Sequence, residues 1–236
     1  MLTEERVKLA YGLLPDGRMI HVSHVERGLA CNATCPGCGA RLRAHKGRIE
    51  HHFHHDTGSD CGTGRETALH LIAKDVLASE LKLHLPEYVA RDGYRMEVVS
   101  DRMCMVFDTA HVEESFGNFV PDIVLVKSGH ELVVEIAVTH RCDEAKIEIF
   151  RASETSAVEV DLSHLPYDAA IETVRAAVLQ AAPRQWLHNP LLEKSAARVV
   201  QKWHEERERD KKGNAKPFAR TVSGIMRAPK LGQGRL

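Results

Sequence analysis

The sequence predicts a mixed α/β (α+β) fold, and three stretches carry that prediction: an apolar hairpin, an amphipathic helix and a Cys/His segment. In the hairpin, residues 119–140, two runs rich in β-branched residues flank Ser128-Gly129, which is typical of antiparallel strands joined by a turn. In residues 63–83 apolar side chains recur at helical spacing. The Cys/His segment at 31–61 precedes both, so a small N-terminal unit is expected before the α/β domain.

Composition narrows the classes of function. The chain has 236 residues, 43% of them hydrophobic, which is enough for one domain with additions or for two small domains. Aromatic residues make up only 5%, which argues against a base-stacking platform for nucleic acid. No apolar run approaches membrane-spanning length, and the N-terminus lacks the apolar core of a signal peptide. A cytoplasmic protein without a membrane partner is therefore expected.

The hairpin places two carboxylates opposite each other. If the turn is centred on Ser128-Gly129, Lys127 pairs with His130 and Asp122 pairs with Glu135. Opposed side chains lie about 5 Å apart at Cβ, and two carboxylates in apolar strands are costly unless a cation lies between them. Mg²⁺ or Mn²⁺ would meet that need. The alternative is a turn residue at Asp122 and a solvent-facing Glu135, but the surrounding strand is too apolar for one exposed face.

The Cys/His segment predicts a structural zinc site. Cys35-Pro36-Gly37-Cys38 forms a knuckle whose backbone amides can point at thiolate sulfur. Zinc in structural sites takes four nitrogen or sulfur ligands. Besides Cys35 and Cys38, the expected ligands are His55 and Cys61, with His52 and then Cys31 as alternatives. Free cysteines in a histidine-rich loop are the less favoured interpretation. Basic residues between the two halves of the site are as consistent with a phosphate-binding patch as with an ordinary solvated face: Arg41, Arg43, His45, Lys46, Arg48.

The helix predicted at 63–83 carries a polar row along one edge of its apolar stripe. Thr63 and Glu66 fit a capping box at its start. Glu66, His70 and Lys74 are spaced four residues apart, so each step turns about 40° around the helix. Each residue also has an ordinary explanation: capping for Glu66, a boundary histidine for His70 and an i+4 partner for Lys74.

The other elements are predicted from periodicity. Short strands are expected near residues 7–11 and 19–22, and strands entering the core sheet at 94–107, followed by a polar connection at 108–118. After the hairpin come a helix from Asp143 to Phe150 and a strand near 158–162, which would complete an αβββαβ core. Further expectations are a helix at 168–182, a break at 186–190, a charged helix at 191–210 and, from Lys211, a disordered basic tail in transient contact with nucleic acid.

Together these pieces resemble a known family. Pro121-Asp122, a hairpin and Glu135-Ile136-Ala137 look like the core of the PD-(D/E)XK nuclease superfamily. The chain as a whole resembles the competence protein CoiA-like family, through these pieces in this order: Cys35-Pro36-Gly37-Cys38, His52-Phe53-His54-His55, Glu66 to Lys74, Pro121-Asp122, and Glu135 to Lys146. The resemblance implies a restriction-endonuclease-like core with a small β and zinc-knuckle subdomain before it and a helical extension after it. The expected boundaries are 1–62, 63–182 and 183–236.

The resemblance implies a metal-dependent nuclease acting on nucleic acid, with DNA the first expectation. Mg²⁺ would be held by Asp122, Glu135 and the carbonyl of Ile136. Glu66, His70 and Lys74 would project into the site, and Thr139 and His140 would orient water or phosphate. The superfamily usually has a lysine two residues after the glutamate, where this chain has Ala137. Lys146 or Lys74 would take over its role.

Two alternatives to a nuclease are carried forward. The first is a catalytically weak DNA-binding or DNA-processing module of CoiA-like type. The second is a zinc-stabilised protein-interaction domain, which explains the knuckle but not the facing carboxylates. Because two apposed carboxylates repel each other, removal of either Asp122 or Glu135 is expected to cost the fold little.

Overall fold

A computed structural model describes residues 8–48, 50–57, 61–115 and 119–214, except for the side chains of 212–214. The protein is a mixed α/β structure. Its N-terminal part is built from two antiparallel hairpins with two short 3₁₀ turns between them. The strands are β1 (Tyr11–Leu13), β2 (Met19–His21), β3 (Leu42–Lys46) and β4 (His51–His55).

These hairpins enclose a small core of their own. Phe53 of β4 is fully buried, and around it pack Leu9, Leu42, Ala44 and Val22. The core also contains Cys31 and Cys35. The N-terminal part is docked on the rest of the chain, because Tyr11 belongs to the main core and its hydroxyl donates to the carbonyl of Ala169.

Helix α1 (Gly64–Glu80) follows, and it is the longest buried helix of the main core. The helix is capped by Leu81, which adopts a left-handed conformation with φ of 49°. After it, two separate antiparallel pairs form, β5 with β8 and β6 with β7. Their bounds are β5 (Lys82–Leu85), β6 (Tyr88–Asp92), β7 (Arg95–Ser100) and β8 (Met103–Val106).

The central sheet has five strands in the order β13-β12-β11-β10-β9. Strands β9, β10 and β11 are successive antiparallel neighbours, whereas β12 is parallel to β11 and is reached through helix α2. The remaining elements are β9 (Thr109–Val112), β10 (Ile123–Lys127), β11 (His130–Ala137), α2 (Glu144–Ala152), β12 (Ala157–Asp161), α3 (Ile171–Ala176), β13 (Arg184–His188) and α4 (Pro190–Asn214).

Strand alternation divides the sheet into two buried faces. Leu132, Val134 and Ile136 of β11 pack with α1, α3 and the π-helical turn Ala177–Ala181 in the main core. Val133 lies on the opposite face and packs with Phe150 of α2. Because both faces are covered, the apolar run of β11 is explained by burial on both sides of the sheet. If β5–β8 are set aside, the order α1, β9–β11, α2, β12 matches the αβββαβ arrangement predicted from the sequence.

Several sequence predictions were wrong in detail. Residues 94–107 form β7 and β8, which belong to the two-stranded pairs and not to the core sheet. The third antiparallel strand of the core is instead β9, within the segment expected to be a polar connection. Periodicity missed it because β9 is largely exposed.

Two more differences concern the C-terminal region. Residues 186–188 of the expected break at 186–190 belong to strand β13, whose Trp186 donates to the carbonyl of Pro86, and Pro190 begins α4. Helix α4 continues to Asn214, so the expected start of a disordered tail at Lys211 was wrong for residues 211–214. The rest of that prediction lies outside the described residues. The expected helix at 168–182 is shorter, comprising α3 and the π-helical turn.

Candidate functional site

Four side chains from the knuckle, β4 and the segment before α1 converge on one point. The potential ligand atoms of Cys35, Cys38, His55 and Cys61 all lie within 4.8 Å of one another. Cys35 Sγ is 3.5 Å from Cys61 Sγ, and Cys38 Sγ is 3.4 Å from His55 Nε2. Ligands at about 2.3 Å around a tetrahedral zinc are roughly 3.8 Å apart, so this geometry fits a metal ion. It is the only such group of three or more His, Cys, Asp or Glu side chains in the described chain.

Strand alternation explains which histidine joins the cluster. His55 shares a face of β4 with buried Phe53, whereas His52 and His54 lie on the opposite face. His52 packs instead against His45, with ring centroids 4.9 Å apart. The alternative ligand His52 is therefore outside the cluster. So is Cys31, which is buried and donates to the carbonyl of Leu42.

The knuckle rests directly on the start of α1. A Cβ atom added to Gly37 would lie 2.7 Å from Thr63 Oγ1 and 2.9 Å from the backbone nitrogen of Gly64. A Cβ atom added to Gly64 would lie 2.9 Å from Cys35 Sγ. Only glycine fits at both positions. The capping box predicted here does not form, because Thr63 has an α-helical backbone conformation and its side chain makes no capping bond. Its hydroxyl instead lies 3.8 Å from Cys61 Sγ.

A second polar group lies where α1 meets the central hairpin. The pairing of β10 with β11 places Ile123 opposite Val134 and Lys127 opposite His130. This is the register predicted from the sequence, and its next step brings Asp122 level with Glu135. Asp122 precedes β10 and its Oδ2 accepts a hydrogen bond from the backbone nitrogen of Ile136 at 2.9 Å. Thus Ile136 contacts Asp122 through its amide.

Asp122 is surrounded by two cationic or polar side chains of α1. Lys74 Nζ lies 3.1 Å from Asp122 Oδ1, and His70 Nδ1 lies 3.7 Å from Oδ2. Burial alone would raise the pKa of Asp122, but His70, the Ile136 amide and Lys74 outweigh it and hold that pKa well below its usual range. Asp122 is therefore a carboxylate that the fold stabilises in its ionised form.

Glu135 has the opposite electrostatics. Its side chain is 9% exposed, and its Oε2 accepts from Lys146 Nζ at 2.7 Å. Burial raises its pKa to about 7 despite Lys146, and nearby Asp122 adds to the rise. Oε1 is buried and, within the described chain, has no hydrogen-bond partner. A buried acceptor without a partner is unfavourable, so this atom is suited to a ligand that brings positive charge.

The remaining predicted site residues join the same region. Thr139 donates its hydroxyl hydrogen to Glu66, and its oxygen lies 2.9 Å from Nδ1 of His140. Glu66 is linked to the Asp122 group through His70, whose Nε2 is 4.0 Å away. Thr139 and His140 are exposed at the end of β11. The structure thus connects Glu66, His70, Lys74 and Asp122 on one side of the hairpin and joins Glu135 to Lys146.

Sequence reasoning missed four charged residues here, Glu113, Arg141, Glu159 and Asp161. Glu113 accepts from Lys74 at 2.6 Å and adopts a left-handed backbone, with φ of 51°. Glu159 is fully buried on β12, next in register to Glu135. Arg141 contacts Glu159 and Asp161. The acids alternate along Val158-Glu159-Val160-Asp161, and that pattern, placed beside Glu135, was the available sequence signal.

In the predicted basic patch, Arg43 is paired with Asp56 and Lys46 donates to the carbonyl of Ser23.

The two carboxylates are expected to affect stability in opposite ways. With a folded pKa of about 7, Glu135 binds its proton more tightly in the folded protein, so its contribution is present below its ordinary pKa of about 4.5 and is lost as pH rises towards 7. Without divalent metal, wild type should therefore lose stability from pH 5 to pH 8 and Glu135→Gln should not. The free energy of unfolding of the variant minus that of wild type should rise by roughly 1–3 kcal/mol over this range. Urea titrations at both pH values measure this, with exposed Glu131→Gln on the same strand as control.

Asp122 should behave differently, which corrects the expectation that either carboxylate can be removed at little cost. Because its folded pKa is depressed, ionised Asp122 stabilises the fold at neutral pH and loses that effect only in acid, below about pH 4. Asp122→Asn should lower the free energy of unfolding at pH 5 and at pH 8 alike. Equal stability of this variant and wild type at both pH values would contradict the proposed pairing with Lys74.

Comparisons with family models, with curated proteins and with solved structures find no match for this chain. No helix within the described ranges is both long and apolar enough to cross a membrane. The fold and site define a class by geometry alone: a mixed α/β protein with a Cys₃His cluster that could hold a metal ion. Its donor set is one that zinc takes in structural sites.

Proposed function

We propose that the protein is a metal-dependent nuclease of PD-(D/E)XK type whose Cys₃His cluster holds a structural zinc ion. The observation that carries the nuclease proposal is the Oε1 atom of Glu135, buried and without a partner in the described structure, beside ionised Asp122. A carboxylate oxygen of this kind is a natural ligand for Mg²⁺ or Mn²⁺. The order of helices and strands supports a PD-(D/E)XK core, and the CoiA-like resemblance names the family proposed.

Different residues would hold a bound Mg²⁺ and support its ligands. When bound, the ion would supply charge neutralisation and an activated water for phosphodiester hydrolysis. Asp122 and Glu135 would hold it, with the Ile136 carbonyl as the further ligand expected from the resemblance. Lys146 contacts only Oε2 of Glu135, so it can remain in place while Oε1 binds metal.

The two lysines have different positions and therefore different proposed roles. Lys74 is only 8% exposed and holds Asp122 together with Glu113, so we assign it to orienting and neutralising that carboxylate. Lys146 is 28% exposed, on the first turn of α2, and is the better candidate to meet a phosphate. Lys146 therefore replaces, in this proposal, the lysine that Ala137 lacks. Thr139 and His140 lie at the exposed end of β11, where they could orient phosphate or water.

The nuclease proposal is tested by incubating the protein with supercoiled plasmid, single-stranded DNA and RNA, each with Mg²⁺, with Mn²⁺ and with EDTA. We expect cleavage of nucleic acid, with DNA as the first substrate, in the presence of either metal and none with EDTA. Binding without cleavage on every substrate would favour the alternative, a catalytically inactive DNA-binding module. If the protein neither binds nor cleaves any of these substrates, both the nuclease proposal and the DNA-binding alternative are excluded.

A further inference from the structure

We infer that Arg141 is a phosphate-binding residue of the site, which extends the row of charged groups from β11 onto β12. The inference rests on the proposed nuclease function and adds a residue that no sequence motif indicated. Arg141 lies in the segment between β11 and α2, one residue after His140. Its side chain is 60% exposed, although it contacts two largely buried carboxylates.

The first step is the register of the two parallel strands. Glu135 is level with Glu159, and Ala137 is level with Asp161. Because alternate residues share a face, the three carboxylates lie on the same side of the sheet, the side that α2 covers. Three adjacent carboxylates would repel a phosphate unless cations were interposed. In the structure those cations are Lys146 on Glu135 and Arg141 on the other two acids.

The second step is that Glu159 and Asp161 have other hydrogen-bond donors. Glu159 accepts from the backbone nitrogen of Cys142 at 2.6 Å and from Gln185 Nε2 at 3.1 Å. Asp161 Oδ1 accepts from the backbone nitrogen and the hydroxyl of Ser163, at 2.9 and 2.6 Å. Arg141 is therefore not needed to satisfy the hydrogen bonding of Glu159 or of Asp161 Oδ1, whereas Asp161 Oδ2 accepts from Arg141.

The third step concerns the geometry of the guanidinium group. Arg141 Nη2 donates to Asp161 Oδ2 at 2.5 Å, and Nη1 lies 3.7 Å from Glu159 Oε1. A guanidinium has five N–H donors in a fixed plane, so donors remain beyond these two contacts. Orienting one edge of the group on two carboxylates leaves an exposed, preorganised cation on Glu159, the register neighbour of Glu135. Such a group is well matched to phosphate oxygens.

The experiment separates phosphate binding from simple charge compensation. The reference is the double variant Glu159→Gln with Asp161→Asn, in which the acids that Arg141 neutralises are gone but Arg141 remains. Arg141→Ala is then added to this background. If Arg141 serves only to compensate the acids, its removal from the neutral background should change nothing. If it binds phosphate, it is still needed.

We expect the double variant to cleave within a few fold of wild type and the triple variant to lose about tenfold or more in kcat/KM, since a hydrogen bond to a charged group is lost. Fluorescence anisotropy with an oligonucleotide in EDTA should show that the triple variant binds more weakly than the double variant, with a salt dependence reduced by about one phosphate contact. Melting temperatures of the double and triple variants should agree, which shows that folding is not the cause.

Two outcomes overturn the inference while leaving the nuclease proposal intact. One is a triple variant as active as the double variant, which would make Arg141 a charge-compensating residue only. The other is loss of cleavage in the double variant while wild type cleaves, which would make Glu159 and Asp161 themselves part of the catalytic site. Wild type that cleaves nothing with either metal would instead overturn the nuclease proposal, and the role of Arg141 with it.

Discussion

Glu135→Gln and Asp122→Asn are each expected to abolish Mg²⁺-dependent cleavage while the protein stays folded. Changes in residues that merely support metal ligands cost about 10- to 100-fold. Loss of a ligand should therefore exceed a hundredfold in kcat. Glutamine keeps the size of Glu135 and a hydrogen-bond acceptor for Lys146, so the metal-binding charge is what changes. Rates are measured on the best substrate, together with melting temperatures.

One matched control comes from the same hairpin, and the other is Asp108, which lies before β9 and contacts the turn of that hairpin. Glu131→Gln removes an exposed carboxylate from the same strand, and Asp108→Asn removes one that accepts from the Ser128 amide at the turn end. Both should cleave like wild type. Binding of nucleic acid in EDTA should survive in all four variants, since phosphate contacts elsewhere carry affinity. If Glu135→Gln cleaves as fast as wild type, the metal has been assigned to the wrong residues even though the protein is a nuclease.

Zinc removal is expected to unfold the N-terminal part of the protein. Elemental analysis of chelator-free preparations should give about one zinc per chain. Structural zinc contributes about 10–16 kcal/mol in small zinc-binding units, which is comparable to the whole stability of a domain of about 5–15 kcal/mol. The hairpins β1–β4 have only a small core, so they should lose their structure when the ion is removed.

Two of the four histidines of β4, His52 and His55, provide the sharpest comparison. His55→Ala should abolish stoichiometric zinc binding, whereas His52→Ala should retain it, because His55 belongs to the cysteine cluster and His52 lies on the opposite face of the strand. Cys38→Ser should behave like His55→Ala, and Cys104→Ser, at an exposed position, should behave like wild type. Equal zinc content in the His52→Ala and His55→Ala variants would contradict the ligand assignment.

The sequence predicted well those features that depend on interactions between residues close together in the chain. The hairpin register was predicted correctly because a short turn and adjacent strands fix it locally. Cys35 and Cys38 of the Cys₃His cluster were evident from their spacing, and the expected preference for His55 over His52 agrees with strand alternation. Helix α2 was also predicted nearly to its ends, and Asp143 caps it by accepting from the amide of Lys146.

Interactions between distant segments were not predictable in the same way. The pairing of β11 with β12 joins strands separated by a helix, so nothing local revealed that Glu135 and Glu159 would be neighbours. The contact of Lys74 with Glu113 depends on a left-handed residue in a polar segment. The sequence also led us to expect a cation shared by Asp122 and Glu135, but it did not reveal that each carboxylate is paired with a lysine from a different helix.

The close fit that glycine allows at positions 37 and 64 limits how the protein can be divided into separate modules. The boundary expected near residue 62 follows a change in sequence pattern, but Cys61 and Thr63 lie on either side of it and are in contact across it. The knuckle is thus not an interchangeable module, because a transplanted version would have to reproduce this close fit against α1. Insertions at this junction would displace the helix that carries Glu66, His70 and Lys74, whereas the tight turn at Ser128-Gly129 offers a site remote from that contact for adding sequence.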